Sequence, residues 1–360
     1  MDTSFPTDNV SVLMATTDEM LLDDLLRLAA AASVTPLVEH DLLGLRRNWQ
    51  AGSLVVVGHD LAEPLAHTQP VRRPGVVVAG FADGDDLYRC AFDIGAESVF
   101  RLPTDESALG DKLADALDGG VRRALTLAFV GGCGGAGATT LASAVAVFGN
   151  QRGFRTMLID GDPLGGGIEL ALGIEHDVGD RWPKLLNASG RVSAAALRSA
   201  LPSVNGLAVL SWDRSDVTVL PPETMSSVLG AAQRSSDLVV VDLPRRADPA
   251  VEEGFVRAGA TLLVVPCDVR SVAAAKRLVG PLRDVAGNLR VVARESRTSC
   301  LSAADVAAHL SLPLATRVGH ERDLPAAMDQ GRFDPRPRGP LGRAASDLLN
   351  LFGLYSPVAA

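Results

Sequence analysis

A glycine-rich turn between a predicted strand and a predicted helix constrains this sequence more than any other feature. The apolar run Leu125–Val130 predicts a buried strand, and the segment Thr139–Asn150 predicts a helix. Between them, residues Gly131–Ala138 read GGCGGAGA. Glycines let backbone N–H groups turn inward around an anion, and the start of a helix adds positive potential. The turn therefore predicts a phosphate cradle in an α/β domain.

Strand and helix patterns alternate through the rest of the C-terminal part. Further strands are predicted at Thr156–Ile159, Leu207–Leu210, Leu238–Val241, Thr261–Val265 and Leu289–Val292. Helical patterns separate these strands, which indicates a doubly wound, mostly parallel sheet. The final segment, Leu341–Tyr355, predicts an amphipathic helix with a short tail. Its main basic residue is Arg343, so we expect the helix to pack on its own domain, and membrane association to be weak or indirect.

The N-terminal part predicts a separate α/β domain. Strands are predicted at Val10–Ala15, Ser53–Val57 and Gly75–Ala79, and Ser98–Arg101 is the candidate for a fifth strand of the pattern. Helices are predicted at Glu19–Ala32 and Glu106–Leu117. Five strands alternating with helices are typical of the flavodoxin-like arrangement. A glycine pair and two arginines mark a linker over residues 119–123. We therefore predict domains at residues 1–118 and 124–360.

Composition argues against several classes of function. The chain has 34 Lys and Arg against 43 Asp and Glu, a net charge of −9, which disfavours a general nucleic-acid binder. Its four cysteines form no CxxC pair and its histidines are scattered, which disfavours a zinc or iron–sulfur site. A signal-peptide pattern and a long apolar run are both missing, so we expect a cytoplasmic protein.

The glycine-rich turn resembles the deviant Walker A loop of the MinD/ParA family of P-loop ATPases, which reads K-G-G-x-G-K-T-T. Five positions agree with that motif: Gly134, Gly135, Gly137, Thr139 and Thr140. Two positions differ, because the family's signature lysine falls on Cys133 and its general P-loop lysine falls on Ala138. In the family, the signature lysine reaches across a dimer to the partner's nucleotide.

Four further segments support the same resemblance. Leu158–Pro163 resembles the D-x-D switch, Leu238–Pro244 resembles the Walker B strand with its D-x-P switch, and Arg317–Gly331 is similar to the closing segment. The family's adenine-recognising Asn-Arg pair falls on Ala293 and Arg294, so only the arginine is kept.

The resemblance implies a role for each matched residue. The catalytic carboxylates would be Asp160, Asp162 and Asp242, and the Mg²⁺ ligands would be Thr139 and Asp242. The nucleotide would contact Gly134, Gly135, Ala136, Gly137, Ala138, Thr139, Thr140 and Arg294. The three carboxylates could equally be strand-end remnants of an ancestral site.

The two missing lysines set the expected activity. A lysine–phosphate contact contributes about 1.5–3 kcal/mol, so losing one weakens binding roughly tenfold to a hundredfold. An electrostatic clamp on a transferring phosphoryl group is worth on the order of 10³–10⁵ in rate. We therefore expect ATP or ADP with Mg²⁺ to bind weakly or not at all, and ATPase turnover to lie near background. The alternative is a weak ATP-driven switch in which Arg152, Arg155 or Arg245 replaces a lysine.

The N-terminal domain resembles a response-regulator receiver that has lost its phosphorylation pocket. Receivers place acidic residues after the first strand, an acceptor aspartate after the third and a lysine after the fifth. Here the first strand is followed by Thr16, Thr17 and Asp18, Asp60 lies just beyond the third strand, and Leu102 stands at the lysine position. This pattern favours a protein-interaction module.

A pseudo-receiver followed by a lysine-poor MinD-like domain resembles the CpaE/TadZ group, which includes the septum site-determining proteins (Ssd) of actinobacteria. The resemblance implies a spatial regulator of cell division that acts through protein partners, with a homodimer as one expected form. The alternative within the group is a localisation factor for a Tad-type pilus or secretion system. In either role the protein would be brought to the septum or the cell pole by its partners.

Overall fold

The computed structural model describes residues 11–32, 34–81, 85–117, 124–186, 194–215, 219–246, 248–296 and 298–355. The chain divides into two compact units, Met1–Arg122 and Arg123–Ala360, here called unit 1 and unit 2.

Unit 1 is a five-stranded parallel sheet with helices between its strands. In chain order its elements are β1 (Val12–Ala15), α1 (Glu19–Ala31), β2 (Leu37–Glu39), α2 (Leu42–Arg47), β3 (Leu54–Gly58), α3 (His59–Ala66), β4 (Val76–Gly80), α4 (Asp85–Asp93), β5 (Ser98–Arg101) and α5 (Glu106–Leu117). The strand order is β2-β1-β3-β4-β5, the flavodoxin-like order. Strands β1, β3 and β4 are fully buried because helices cover both faces of the sheet.

Unit 2 is larger. Its elements are β6 (Leu125–Gly131), α6 (Ala138–Gln151), β7 (Thr156–Asp160), α7 (Ile168–Leu172), α8 (Trp182–Leu186), α9 (Ala194–Ala200), β8 (Ser203–Val204), β9 (Leu207–Leu210), α10 (Pro222–Ser235), β10 (Leu238–Leu243), α11 (Pro249–Arg257), β11 (Ala260–Pro266), α12 (Val269–Val285), β12 (Leu289–Arg294), α13 (Ala303–Leu310), β13 (Leu314–Val318), α14 (Leu324–Met328) and α15 (Pro340–Leu351).

The eight strands of unit 2 run in the order β13-β12-β11-β6-β10-β7-β9-β8. Every pair is parallel except β8 with β9. The carboxyl ends of the parallel strands therefore meet at one edge of the sheet. Strand β6 lies near the middle, between β11 and β10, and its following loop opens at this edge. In open α/β sheets, that is where ligands bind.

Two apolar layers, one on each face, hold the sheet of unit 2. One layer packs α10 to α13 on the sheet, and the other packs α6 and α15. The C-terminal helix α15 buries its apolar face in the second layer through Leu341, Ala344, Ala345, Leu348 and Leu349. The expectation that this helix packs on its own domain is confirmed. Among the described residues, no helix has the length and apolar character needed to cross a membrane.

The predicted fold class is confirmed: a receiver-like domain accompanies a doubly wound, mostly parallel domain. The predicted strands and helices are present with ends shifted by a residue or a few. Strands β2, β8 and β13 are additional to those bounded from the sequence.

Candidate nucleotide site

The loop between β6 and α6 is held tightly where it leaves the sheet. The amide of Gly132 donates to the carbonyl of Val264 on neighbouring β11 over 2.8 Å. A Cβ at Gly132 would lie 2.9 Å from side-chain atoms of Ala275 and Val265, so only glycine fits there. Further along, Gly135 and Gly137 have φ values of 69° and 91°, a region that L side chains avoid. The sequence of the loop is therefore matched to its path.

The crest of the loop faces open space. A Cβ built on Gly134 or Gly135 meets no heavy atom within 4 Å. The backbone amides of Gly134, Gly135 and Gly137, and those of residues 138–140 at the start of α6, have no acceptor among the described residues. The first amides of a helix lack intrahelical partners, so this group of donors suits an anion.

Thr139 and Asp242 meet beside the loop. Thr139 lies in the first turn of α6, and its hydroxyl donates to Oδ2 of Asp242, near the end of β10, over 2.5 Å. Burial raises the pKa of Asp242 to about 7; the Thr139 hydrogen bond opposes this rise, and the charges of Asp160 and Asp162 add to it. The carboxyl is thus balanced between protonated and ionised near neutral pH.

Asp160 pairs with Asp242 across adjacent strands and is equally buried. Its carboxylate accepts the amides of Asp162 and Ile168, each over 3.1 Å, and the hydroxyl of Ser211 over 3.3 Å. Burial raises the pKa of Asp160 to about 6, although these hydrogen bonds oppose the rise. Asp160 therefore fixes the path of residues 160–168. The carboxylate of Asp162 accepts the amide of the exposed Leu164.

Two tryptophans hold the end of strand β7 through hydrogen bonds. The indole N–H groups of Trp182 and Trp212 both donate to the backbone carbonyl of Asp160, over 2.7 and 3.1 Å. Their rings stack with centroids 5.7 Å apart, and both are buried. This pair of contacts was not predicted from the sequence. The available signal was that two of the chain's three tryptophans lie between the strands β7 and β10.

The loop segment leading from Asp160 is braced by a buried ion pair. Arg181 Nε donates to Glu169 Oε2 over 2.9 Å, with side chains only 11% and 7% exposed. The same guanidinium also donates to the carbonyls of Ile174, Asp177 and Gly179. Because most of its donors are used in this way, Arg181 stabilises the loop and has few donors left for a ligand.

The two positions that carry lysine in the MinD/ParA motif hold small side chains. The thiol of Cys133 lies 3.4 Å from Ser271 Oγ, at the start of α12, and Ser271 in turn donates to Asp268. Ala138 is buried in the apolar layer beneath the loop. Neither side chain offers a cation to a phosphate.

Arginines from other strand ends lie near the loop instead. Nη1 of Arg245, in the turn after β10, donates weakly to the carbonyl of Gly132 over 3.4 Å. At the other end of the loop, a Cβ on Gly137 would lie 3.2 Å from Nη1 of Arg294, the last residue of β12. The structure thus places Arg294 beside the predicted nucleotide-contacting glycines.

The suggestion that Arg152 or Arg155 could replace a lysine is wrong. Arg152 caps the far end of α6 and donates to Asn350 and to the carbonyls of Ser346 and Leu354. Arg155 pairs with Asp237 at the amino end of β10. Both therefore lie at the opposite edge of the sheet from the loop.

In unit 1, the residues at the receiver-pocket positions bind one another. Asp60 Oδ1 accepts from the Thr16 hydroxyl over 2.7 Å, and Oδ2 accepts from the amide and the hydroxyl of Thr17 over 2.6 Å each. Although burial opposes the effect, the hydrogen bonds from Thr17 and Thr16 lower the pKa of Asp60. Asp18 caps helix α1, and a Cβ on Gly58 would lie 2.5 Å from Thr16 Oγ1. The pocket is therefore filled by its own side chains.

Similarity to solved structures shows the fold of unit 2. The chain resembles a ParA family ATPase from Chlorobium tepidum TLS at 16% identity, covering 65% of this chain and 100% of that one with a TM-score of 0.57. It resembles MinD in the MinC:MinD cell division complex of Aquifex aeolicus at 23% identity, 66% and 99% coverage and a TM-score of 0.55. It also resembles the septum site-determining protein MinD from Pyrococcus horikoshii OT3, complexed with Mg-ADP. The identity is 15%, the similarity covers 63% of this chain and 95% of that one, and the TM-score is 0.52. Unit 2 has the MinD/ParA-type fold.

Similarity in sequence shows the family. A family profile described as "Rv3660c-like, CheY-like N-terminal domain" matches residues 15–124, so unit 1 is CheY-like. Over 345 residues, the chain is 35% identical to the proteins Rv3660c and MT3760 from two strains of Mycobacterium tuberculosis, which covers 93% of this chain and 96% of theirs. This chain therefore belongs to the same family as Rv3660c of Mycobacterium tuberculosis.

Proposed function

We propose that this protein is a spatial regulator of cell division that acts through protein partners, with unit 2 as a nucleotide-responsive pseudo-ATPase. The observation that carries the proposal is a phosphate loop that keeps its glycines, its open amides and the Thr139–Asp242 pair, while Cys133 and Ala138 occupy the lysine positions. The loop retains the means to hold a nucleotide and has lost those that accelerate hydrolysis.

The residues of the site fit a nucleotide with Mg²⁺. Open space lies over Gly134 and Gly135, and unpaired amides line the loop as phosphate donors. Thr139 and Asp242 supply the oxygen ligands that Mg²⁺ prefers. Among the described residues no three His, Cys, Asp or Glu side chains are grouped to hold a metal. Mg²⁺, which would offset phosphate charge, would therefore take its ligands beyond Thr139 and Asp242 from phosphate oxygens and water.

Hydrolysis would be slow for a second reason besides the lost lysines. The Asp160 carboxylate is buried and already accepts three hydrogen bonds, from the amides of Asp162 and Ile168 and the hydroxyl of Ser211, so it is poorly placed to contact an attacking water. Asp162 is the more accessible carboxylate. A weak ATP-driven switch is the alternative function, and it predicts turnover that Asp162→Ala, Asp160→Ala or Asp242→Ala abolishes.

Protein partners suit unit 1 better than phosphotransfer does, because Thr16 and Thr17 already bind Asp60. Among proteins of similar fold, MinD of Aquifex aeolicus was solved in a complex with MinC. We propose the CpaE/TadZ-like subgroup, with septum-site determination as the role and siting of a pilus or secretion machine as the alternative. A homodimer formed across the loop face is part of the proposal.

The first test is calorimetric titration of the nucleotide-stripped protein with ATP and ADP, with and without Mg²⁺. We expect Mg²⁺-dependent binding of ATP with hydrolysis near background. If no heat of binding is detected up to about millimolar nucleotide, control by nucleotide is rejected, and unit 2 would act only as a scaffold for protein partners. In cells, a fluorescent fusion that collects at the septum supports the division role, whereas a focus that follows only a pilus ATPase supports the alternative.

A further inference from the structure

The candidate site has a shortage of positive charge. Asp160, Asp162 and Asp242 lie at the carboxyl ends of adjacent strands, and a polyphosphate would bring further negative charge. The loop itself offers no cation, since the Cys133 side chain lies against Ser271 and Ala138 is buried. Any cation for the phosphates must come from another segment.

Arg245 is placed to provide it. Its turn follows β10, the immediate neighbour of β6, and its Nη1 reaches the carbonyl of Gly132 where the loop begins. The side chain is exposed and has no carboxylate partner among the described residues. The one hydrogen bond that it makes within the described part of the chain, at 3.4 Å, lies at the long limit of such bonds and is readily exchanged. By contrast, the adjacent Arg246 faces Asp248 at 3.5 Å.

We infer that Arg245 supplies the phosphate-binding charge that the loop lost with its lysines. A guanidinium presents donors in a planar fork that matches phosphate oxygens, and it stays charged at every physiological pH. Arg245 lies at the strand end of the loop, whereas Arg294, which the resemblance assigns to the adenine, lies at its helix end. This assignment rests on the proposal that unit 2 binds a nucleotide.

The test compares ligands that differ in phosphate content. Full-length wild type, Arg245→Gln, Arg245→Lys and the matched neighbour Arg246→Gln are titrated with ATP, inorganic tripolyphosphate and adenosine by calorimetry. We expect Arg245→Gln to weaken the binding of ATP and of tripolyphosphate by tenfold to a hundredfold, and Arg245→Lys to recover part of the lost affinity. Arg246→Gln should bind as wild type does, and adenosine should not distinguish the variants.

The outcomes separate this inference from the proposed function. If wild type binds ATP and Arg245→Gln binds it equally well, the role of Arg245 is rejected and nucleotide control stands. Equal losses in the two glutamine variants would point to general surface charge and would also reject it. If wild type binds neither ATP nor tripolyphosphate, both proposals fail. Unchanged thermal unfolding of Arg245→Gln shows that a loss of binding is not a loss of fold.

Discussion

The hydroxyl of Thr139 donates to the carboxylate of Asp242 over 2.5 Å, which joins the first turn of α6 to the end of β10. Both are oxygen ligands of the kind Mg²⁺ prefers, and they lie beside the phosphate loop. We expect Asp242→Asn to remove the Mg²⁺-dependent part of ATP binding, a loss of about tenfold or more, because an amide oxygen carries no charge. Calorimetry with and without Mg²⁺ measures it.

The matched control is Asp237→Asn, the same change at the amino end of the same strand, where Asp237 pairs with Arg155. This variant should keep the full gain in ATP affinity that Mg²⁺ provides. An Asp242→Asn protein that still gains affinity from Mg²⁺ would show that the ion is held elsewhere.

The stability of unit 2 should fall as pH rises toward neutrality. Burial raises the pKa of Asp160 to about 6 and that of Asp242 to about 7, so the folded state holds these protons more tightly than the unfolded chain does. The folded protein therefore loses stability between the unfolded value near 4 and about 7, on the order of 4 kcal/mol for Asp242 alone. Urea unfolding in Mg²⁺-free buffer from about pH 4 to 8 measures the change.

Asp242→Asn provides the comparison for the pH experiment, since asparagine does not titrate. We expect this variant to be more stable than wild type near pH 8 and to lose most of the pH dependence. Parallel curves for the two proteins would show that Asp242 is ionised in the folded state at all of these pH values.

Restoring a lysine to the loop should strengthen nucleotide binding. Ala138→Lys puts a cation where the family motif has its lysine, at the start of α6, and we expect ATP affinity to rise by tenfold to a hundredfold. Because Ala138 is buried, thermal unfolding of the variant checks that its fold is kept. Gln151→Lys adds the same charge at the exposed far end of α6 and should have no effect. If both variants gain affinity equally, the gain comes from net charge and not from the loop.

Unit 1 should not accept a phosphoryl group from a small donor. Both Asp60 oxygens are occupied by Thr16 and Thr17, and Asp18 is used to cap α1. After incubation with acetyl phosphate and Mg²⁺, intact-mass measurement should show an unmodified chain, beside a competent receiver as positive control. A phosphorylated species that disappears in Asp60→Asn would contradict the prediction.

The sequence was sufficient to predict the strands that form the buried centre of each sheet. The runs that become β3, β4, β6, β10 and β11 are continuous and apolar because helices cover both their faces. Strand β13, with exposed Leu314 and Arg317, and the three-residue β2 have no such run. Edge strands are defined by their pairing partners, and a single sequence does not display that pairing.

The site was predictable in its backbone and less so in its side chains. Two of the loop glycines, Gly135 and Gly137, have the positive φ values that glycine tolerates, and Thr139 meets Asp242 as the motif implies. The contacts of Trp182 and Trp212 with Asp160 join segments far apart in sequence. Arg155 precedes β7 and Arg245 follows β10, so the strand ends alone place only Arg245 at the edge of the loop. That β10 lies directly beside β6 is known only from the sheet order.

The hydrogen bonds from Thr16 and Thr17 to Asp60 have a consequence for timing. A working receiver stores a signal for as long as its acyl phosphate survives, so the lifetime of that phosphate sets the duration of the signal. With both Asp60 oxygens already occupied by Thr16 and Thr17, we expect unit 1 to lack this means of timing. In the proposed regulator, the duration of a signal would then be set by how long a nucleotide or a partner stays bound to unit 2.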